Sequence, residues 1–248
     1  MPADTRPVLV APDAFKGTHT APEAAAAIGR GLERAGLVPP DLCPVGDGGE
    51  GTSTVLLTQL GGEVRGITAT DPLGRPVQAG FALLEDGGTG VVEVAEASGL
   101  SLVAEDERDA VAATSRGTGE LVAAAVAAGA QVVLVCVGGS ATTDGGFGAI
   151  AAIEEAGGLR GARLVCLCDV RVPWEDAPRV FGPQKGADPD TVRQLEERQR
   201  ERARQLPKDP TGVPMTGAAG GLSGGLWATF DARLEPGAPF VLDALGFA

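Results

Sequence analysis

Apolar residues along this chain fall into short runs, each closed by a Gly- or Asp-rich turn, and stretches with helical spacing lie between the runs. Pro7 to Ala11 is one such run; it ends at Pro12-Asp13 and predicts a buried strand. Thr20-Ala21-Pro22-Glu23 has the form of a capping box and predicts an alanine-rich helix as far as Gly36. A second strand around Leu42 to Val45 runs into Asp47-Gly48-Gly49-Glu50-Gly51, after which Thr52 to Leu60 reads as a helix. Strand, helix, strand, loop and helix in that order predict a parallel sheet.

The pattern changes after Leu60. Val64 to Thr70, Val77 to Leu84 and Gly90 to Ala95 read as strands joined by the turns Asp71-Pro72-Leu73-Gly74 and Asp86-Gly87-Gly88. Connections this short favour antiparallel pairing, so a mixed sheet is expected here. From Gly117 the alternation returns: helix to Ala128, strand Val132 to Val137, helix Phe147 to Ala156, strand Arg163 to Cys168. Asp188-Pro189 opens a charged helix to about Leu206 whose few apolar residues predict a mostly solvated element. Gly217 to Gly225 opens what reads as the final helix. The fold class is α/β.

The 248 residues suffice for one large or two small domains. The formal charge of -13 repels nucleic acid and anionic membrane, so neither is expected as a partner. An anionic substrate must then be held by a local group of Lys, Arg, backbone amides or a metal. Of the four cysteines, Cys136, Cys166 and Cys168 lie in apolar β-like runs, as small buried hydrophobes do, and with Cys43 they form no Cys-x-x-Cys pair. His19 is the single histidine, which nearly excludes a His-based metal site. No apolar run reaches membrane-spanning length and Met1 to Arg6 has no signal-like region, so a cytoplasmic location is expected. The sequence admits a homo-oligomer and sets no stoichiometry.

In parallel α/β sheets ligands sit beyond the carboxyl ends of the strands, and four loops here occupy that position. Asp13 and Lys16 follow the first strand, Asp47 and Glu50 the second, the loop Gly138 to Gly146 a later one, and Asp169 ends the next. Gly and Asp are also ordinary turn residues, so each loop alone is weak evidence. The Gly/Ser/Thr loop before Phe147 offers free amides and a helix start that suit phosphate, but the chain contains no Walker pattern. Gly146-Phe147-Gly148 with Ala151 and Asp169 loosely matches a dinucleotide fingerprint, which leaves a nicotinamide-dependent oxidoreductase as the alternative. Against it, the loop is too long for the tight turn that fingerprint needs. Asp144 would also face a pyrophosphate, tolerable only with a divalent ion between them. Phe181-Gly182-Pro183-Gln184-Lys185-Gly186-Ala187 holds a Lys beside backbone amides, a feature suited to an anion.

Several stretches together resemble the glycerate kinase family, the type that is neither P-loop nor ribokinase-like. They are Ala11 to Gly17, Asp47 to Thr52, Asp71 to Pro76, Glu96 to Leu100, Gly117 to Glu120, Gly138 to Gly146, Cys168 to Val170, Phe181 to Ala187 and Gly217 to Gly221. They stand in family order over almost the whole chain.

The resemblance implies transfer of the γ-phosphoryl group of ATP to D-glycerate with Mg2+, 2-phosphoglycerate being favoured. It also implies two α/β domains around a cleft: a Rossmann-like domain with a parallel sheet at 1–62, and a mixed-sheet domain at 63–248. On this basis Asp169 is expected to accept the hydroxyl proton, with Lys16, Lys185 and Asp47 also catalytic. Gly138, Gly139, Ser140, Thr142, Asp144 and Gly145 should hold the nucleotide, and Asp144 and Asp47 the metal. Asp13, Gly48, Gly49, Glu50, Gln184 and Arg65 should meet substrate, and Arg75 and Arg116 are weaker cationic candidates. The segment Phe147 to Cys168 is short for the family. Relatives also continue past Ala248 with a Gly-Glu-Gly turn expected to complete the Rossmann-like domain. Phe240, Val241, Leu242 and Leu245 are then expected to lose their cover and a 248-residue chain to be marginally stable or to self-associate there, and a catalytically inactive remnant is a further alternative.

Overall fold

The computed structural model describes residues 6–15 and 18–247. Two sheets organise it. The smaller pairs β1 (Leu9–Val10) with β2 (Asp41–Leu42) in parallel, joined by α1 (Ala21–Arg34). The capping box forms as its chemistry requires: Glu23 N donates to Thr20 Oγ1, and Thr20 N donates to Glu23 Oε2 at 2.9 Å. The second helix, α2, is Thr52–Leu60.

The larger sheet has six strands in chain order: β3 (Gly62–Thr70), β4 (Pro76–Leu84), β5 (Thr89–Glu93), β6 (Val132–Cys136), β7 (Arg163–Cys168) and β8 (Arg233–Pro236). β3, β4 and β5 pair antiparallel, and β5 to β8 pair parallel. The antiparallel half follows from its turns. Asp71 Oδ1 accepts from Leu73 N and Arg75 N, and Gly74 takes φ +83, a conformation glycine adopts without the Cβ penalty. The parallel half is joined through α3 (Val94–Ser98), α4 (Arg116–Ala127) and α5 (Phe147–Glu155), and after β7 through α6 (Ala177–Phe181), α7 (Pro189–Ala203) and α8 (Leu222–Phe230); α9 (Gly237–Ala244) follows β8.

Both faces of the parallel half are buried, and alternate residues divide between them. Val92, Val133, Val135, Leu164 and Cys166 pack with Leu121, Ile153 and Leu226 from α4, α5 and α8. Val91, Leu134, Cys136, Val165 and Leu167 pack with Val55 and Leu56 of α2 and Val241 of α9. This is the three-layer arrangement that continuous apolar strands demand. All four cysteines are free, three of them buried.

The structure corrects two expectations. The Gly-rich stretch does not open the last element: β8 and α9 follow it, and α9 places Val241 fully inside with Phe240 and Leu245 against the same cluster. α7 is solvated on one side only, because Leu195 and Gln199 are fully buried. α2 packs on the six-stranded sheet through Val55 and Leu56.

Candidate functional site

The carboxyl ends of β5, β6 and β7 lie side by side: β5 ends at Glu93, and β6 and β7 lead into two predicted features, the Gly138–Gly146 loop and Asp169. The loop after β2 closes over them. A Cβ on Gly138 would stand 2.6 Å from Gly49 Cα, and one on Gly48 2.9 Å from Leu167 Cβ, so these glycines permit backbone contact that no side chain allows. Glu93, which the sequence reading passes over, anchors this arrangement. Its carboxylate accepts from Gly51 N and from Ser53 N at 2.7 Å, capping α2. Burial pushes its carboxyl above the ordinary value.

A cavity of about 350 Å³ opens here, with Gly138, Gly139, Ser140, Asp169, Gln184 and Lys185 among its lining residues and Leu100, Phe181 and Ala219 as apolar wall. Six residues chosen from distant stretches of sequence thus meet in one place. Asp169 is exposed at the end of β7. Lys185 is 2% exposed, and its Nζ donates to Ser140 Oγ at 2.9 Å and to Thr142 O at 2.5 Å. Burial pulls its pKa down to about 7, against the partial opposition of Asp144. Gly139 takes φ +70 and has Ala95 and Glu50 nearby. Beyond Glu50 lies a second hollow of about 370 Å³ bordered by Phe15, Thr18, His19, Glu23, Glu93 and Glu96.

The other family stretches build the support. Leu100 N donates to Gly139 O at 2.8 Å and Ala141 N to Ser98 O at 2.9 Å, so residues 98–100 pin the Gly-rich loop. Ser98 Oγ in turn accepts from Thr118 Oγ1 at 2.8 Å.

Several candidates are placed elsewhere. Asp144 is buried between the starts of α4 and α5. Its Oδ2 accepts from Ser115 N, Ser115 Oγ and Gly148 N, and its Oδ1 from Gly146 N. Two helix starts share one carboxylate, a stable use of negative charge that engages both oxygens of Asp144. Thr142 and Gly145 are also buried, Gly145 against Trp174, so neither lines the cavity. Arg65 stands on the edge strand β3 bonded to Glu63, away from the cleft. Arg75 pairs with Asp71 and Glu107, and Arg116 with Glu120 and Glu155. Asp13 is exposed and accepts from Ala14 N. Lys16 lies outside the described residues. Asp47 is half-buried; its Oδ1 accepts from Gly49 N at 2.8 Å. Among the described residues no three acidic, His or Cys side chains gather as a metal site.

Comparison with known proteins bears on this arrangement. The profile described as Glycerate kinase family matches residues 8–157 and 153–248. The chain is 39% identical to the glycerate kinase of Bacillus subtilis (strain 168), covering 97% of this chain and 72% of that one. It is 35% identical to the glycerate 2-kinase of Escherichia coli (strain K12), covering 96% and 72%. A crystal structure from Salmonella typhimurium LT2, provisionally named glycerate kinase 2, superposes with TM-score 0.84 at 34% identity, over 96% of this chain and 73% of the other. The Bacillus alignment runs over 280 residues against 248 here, so the relative carries additional residues within the matched span. The two matched stretches meet at 153–157, the end of α5. That point leads to the amino end of β7, opposite the cleft.

Proposed function

The chain belongs to the glycerate kinase family, and we propose that it transfers the γ-phosphoryl group of ATP to D-glycerate in the cavity over β6 and β7. The convergence of Gly138, Gly139, Ser140, Asp169, Gln184 and Lys185 on that cavity carries the reading.

Phosphoryl transfer needs positioning, charge neutralisation and a proton acceptor. Asp169 accepts the proton of the attacking hydroxyl, being the exposed carboxylate at the cavity wall. The Gly138–Ser140 segment cradles the phosphates with its amides. Lys185, with a pKa near 7, gains its proton as anionic substrate arrives and holds it against the transferred group. Gln184 and the Gly48–Glu50 backbone meet the glycerate. Asp47 is the carboxylate that fits magnesium, since among the described residues only its Oδ1 accepts a hydrogen bond. Among the described residues no cage of acids is preformed, so Asp47 would hold magnesium together with the nucleotide phosphates, and the ion would offset phosphate charge there. The name of the Escherichia coli relative favours the 2-hydroxyl as acceptor. No helix of the described residues is long and apolar enough to cross a membrane; use of ATP favours the cytoplasm.

A coupled ADP assay tests this. ADP release that requires both D-glycerate and magnesium is the expected result, with 31P NMR assigning the phosphorylated oxygen. Nucleotide binding without turnover would mark an inactive remnant, and a nicotinamide absorbance change with a hydroxy acid would mark an oxidoreductase.

A further inference from the structure

The face of α7 that buries Leu195, Gln199 and Ala203 also carries Arg198 and Arg202, one turn apart and half-buried behind the Gly-rich loop. Arg198 Nη1 donates to Val111 O at 2.7 Å and its Nη2 to Thr143 O at 3.0 Å. The Arg202 guanidinium lies 4.8 Å from the centroid of the Phe147 ring. Arg75 and Arg116 spend their charge on carboxylates. Arg198 and Arg202 form no ion pair among the described residues.

Arg198 Nε and Arg202 Nη1 are buried without a hydrogen-bond partner, and so are the hydroxyls of Thr142 and Thr143, residues that are 0% exposed. The carboxylates that face this group are Asp144 and Asp109. Asp144 is already occupied by four donors, and Asp109 is exposed and accepts from Val111 N and Ala112 N. Burial and mutual repulsion together disfavour the Arg198 charge. A helix docked for stability alone would place Leu or Gln at one of these positions, since like charges one turn apart repel.

We propose that Arg198 and Arg202 are specificity-determining residues for the nucleotide, holding positive charge behind residues 142–147 so that a chain of net charge -13 selects a polyphosphate. The inference rests on the reading of Gly138–Ser140 as the phosphate cradle.

The test is calorimetric Kd for ATP and ADP, with KM for D-glycerate, in Arg198→Gln, Arg202→Gln and Arg202→Lys. Arg200→Gln serves as control: it lies on the same helix, exposed and paired with Glu197. Each Gln variant should weaken ATP about five- to tenfold, ADP less, and leave glycerate KM within about twofold, with a shallower salt dependence for ATP. Arg202→Lys should restore most of the affinity, and melting temperatures identify variants that remain folded. Unchanged ATP affinity in folded variants overturns the proposal. So does equal weakening of ATP and glycerate without rescue by Lys, which marks a purely structural role. Gly139→Val separates the two levels. If it too spares ATP binding, the cradle reading falls; if it alone weakens ATP, only the role of the arginines falls.

Discussion

Replacing Lys185 with Met keeps the aliphatic stem and removes a charge that the fold disfavours. Burial lowers the Lys185 pKa from 10.5 to about 7. At about 1.4 kcal/mol per unit, the charged form is disfavoured by roughly 5 kcal/mol. The variant forfeits the bonds to Ser140 Oγ and Thr142 O, which costs about 1–3 kcal/mol where acceptors are left unpaired. Below pH 7, Lys185→Met should therefore be the more stable protein, by roughly 2–4 kcal/mol. The sign then reverses. Because the folded pKa is depressed, the unfolded chain binds more protons between about pH 7 and 10.5, and wild-type stability rises with pH across that window. The Met variant lacks this rise, so near pH 10 it should be the less stable of the two. Urea unfolding of both proteins at pH 6.5, 8 and 9.5 reads the difference directly, since other titrating groups cancel. Activity should fall by about 10²- to 10³-fold. Stability curves that stay parallel across the three pH values would refute the reasoning.

Three further outcomes follow from the site. Asp169→Asn keeps shape and removes the proton acceptor, so kcat should drop by about 10²-fold or more while ATP affinity holds; near-normal turnover would place the base elsewhere. Gly139→Val introduces a branched side chain at φ +70 beside Glu50 and Ala95, and should weaken ATP binding in calorimetry. Asp144→Asn should destabilise the fold by about 2–4 kcal/mol in urea, because one acceptor oxygen becomes a donor facing amides; unchanged dependence on magnesium would accompany it, whereas a raised magnesium requirement would restore Asp144 as a ligand.

What the sequence alone determined is local in origin. The limits of α2 and β7, the capping box at Thr20, and the antiparallel turn at Asp71 match the structure because neighbouring residues decide them: apolar period, cap chemistry and the conformational freedom of glycine. The ordered family motifs also pointed to six residues of one cavity. Contacts between distant residues decided the rest. Glu93, the last residue of β5, turns its carboxylate to the amides of Gly51 and Ser53, about forty positions earlier in the chain. Asp144 reads as a metal ligand in sequence; in the fold Ser115, 29 residues upstream, claims it first. β8 is a four-residue edge strand with weak periodicity, and it forms because β7 offers a free row of backbone groups. The two arginines of α7 look like any solvated charges until the helix docks, because burial of a side chain depends on which surface its helix meets, and helical period records only that some face is to be covered.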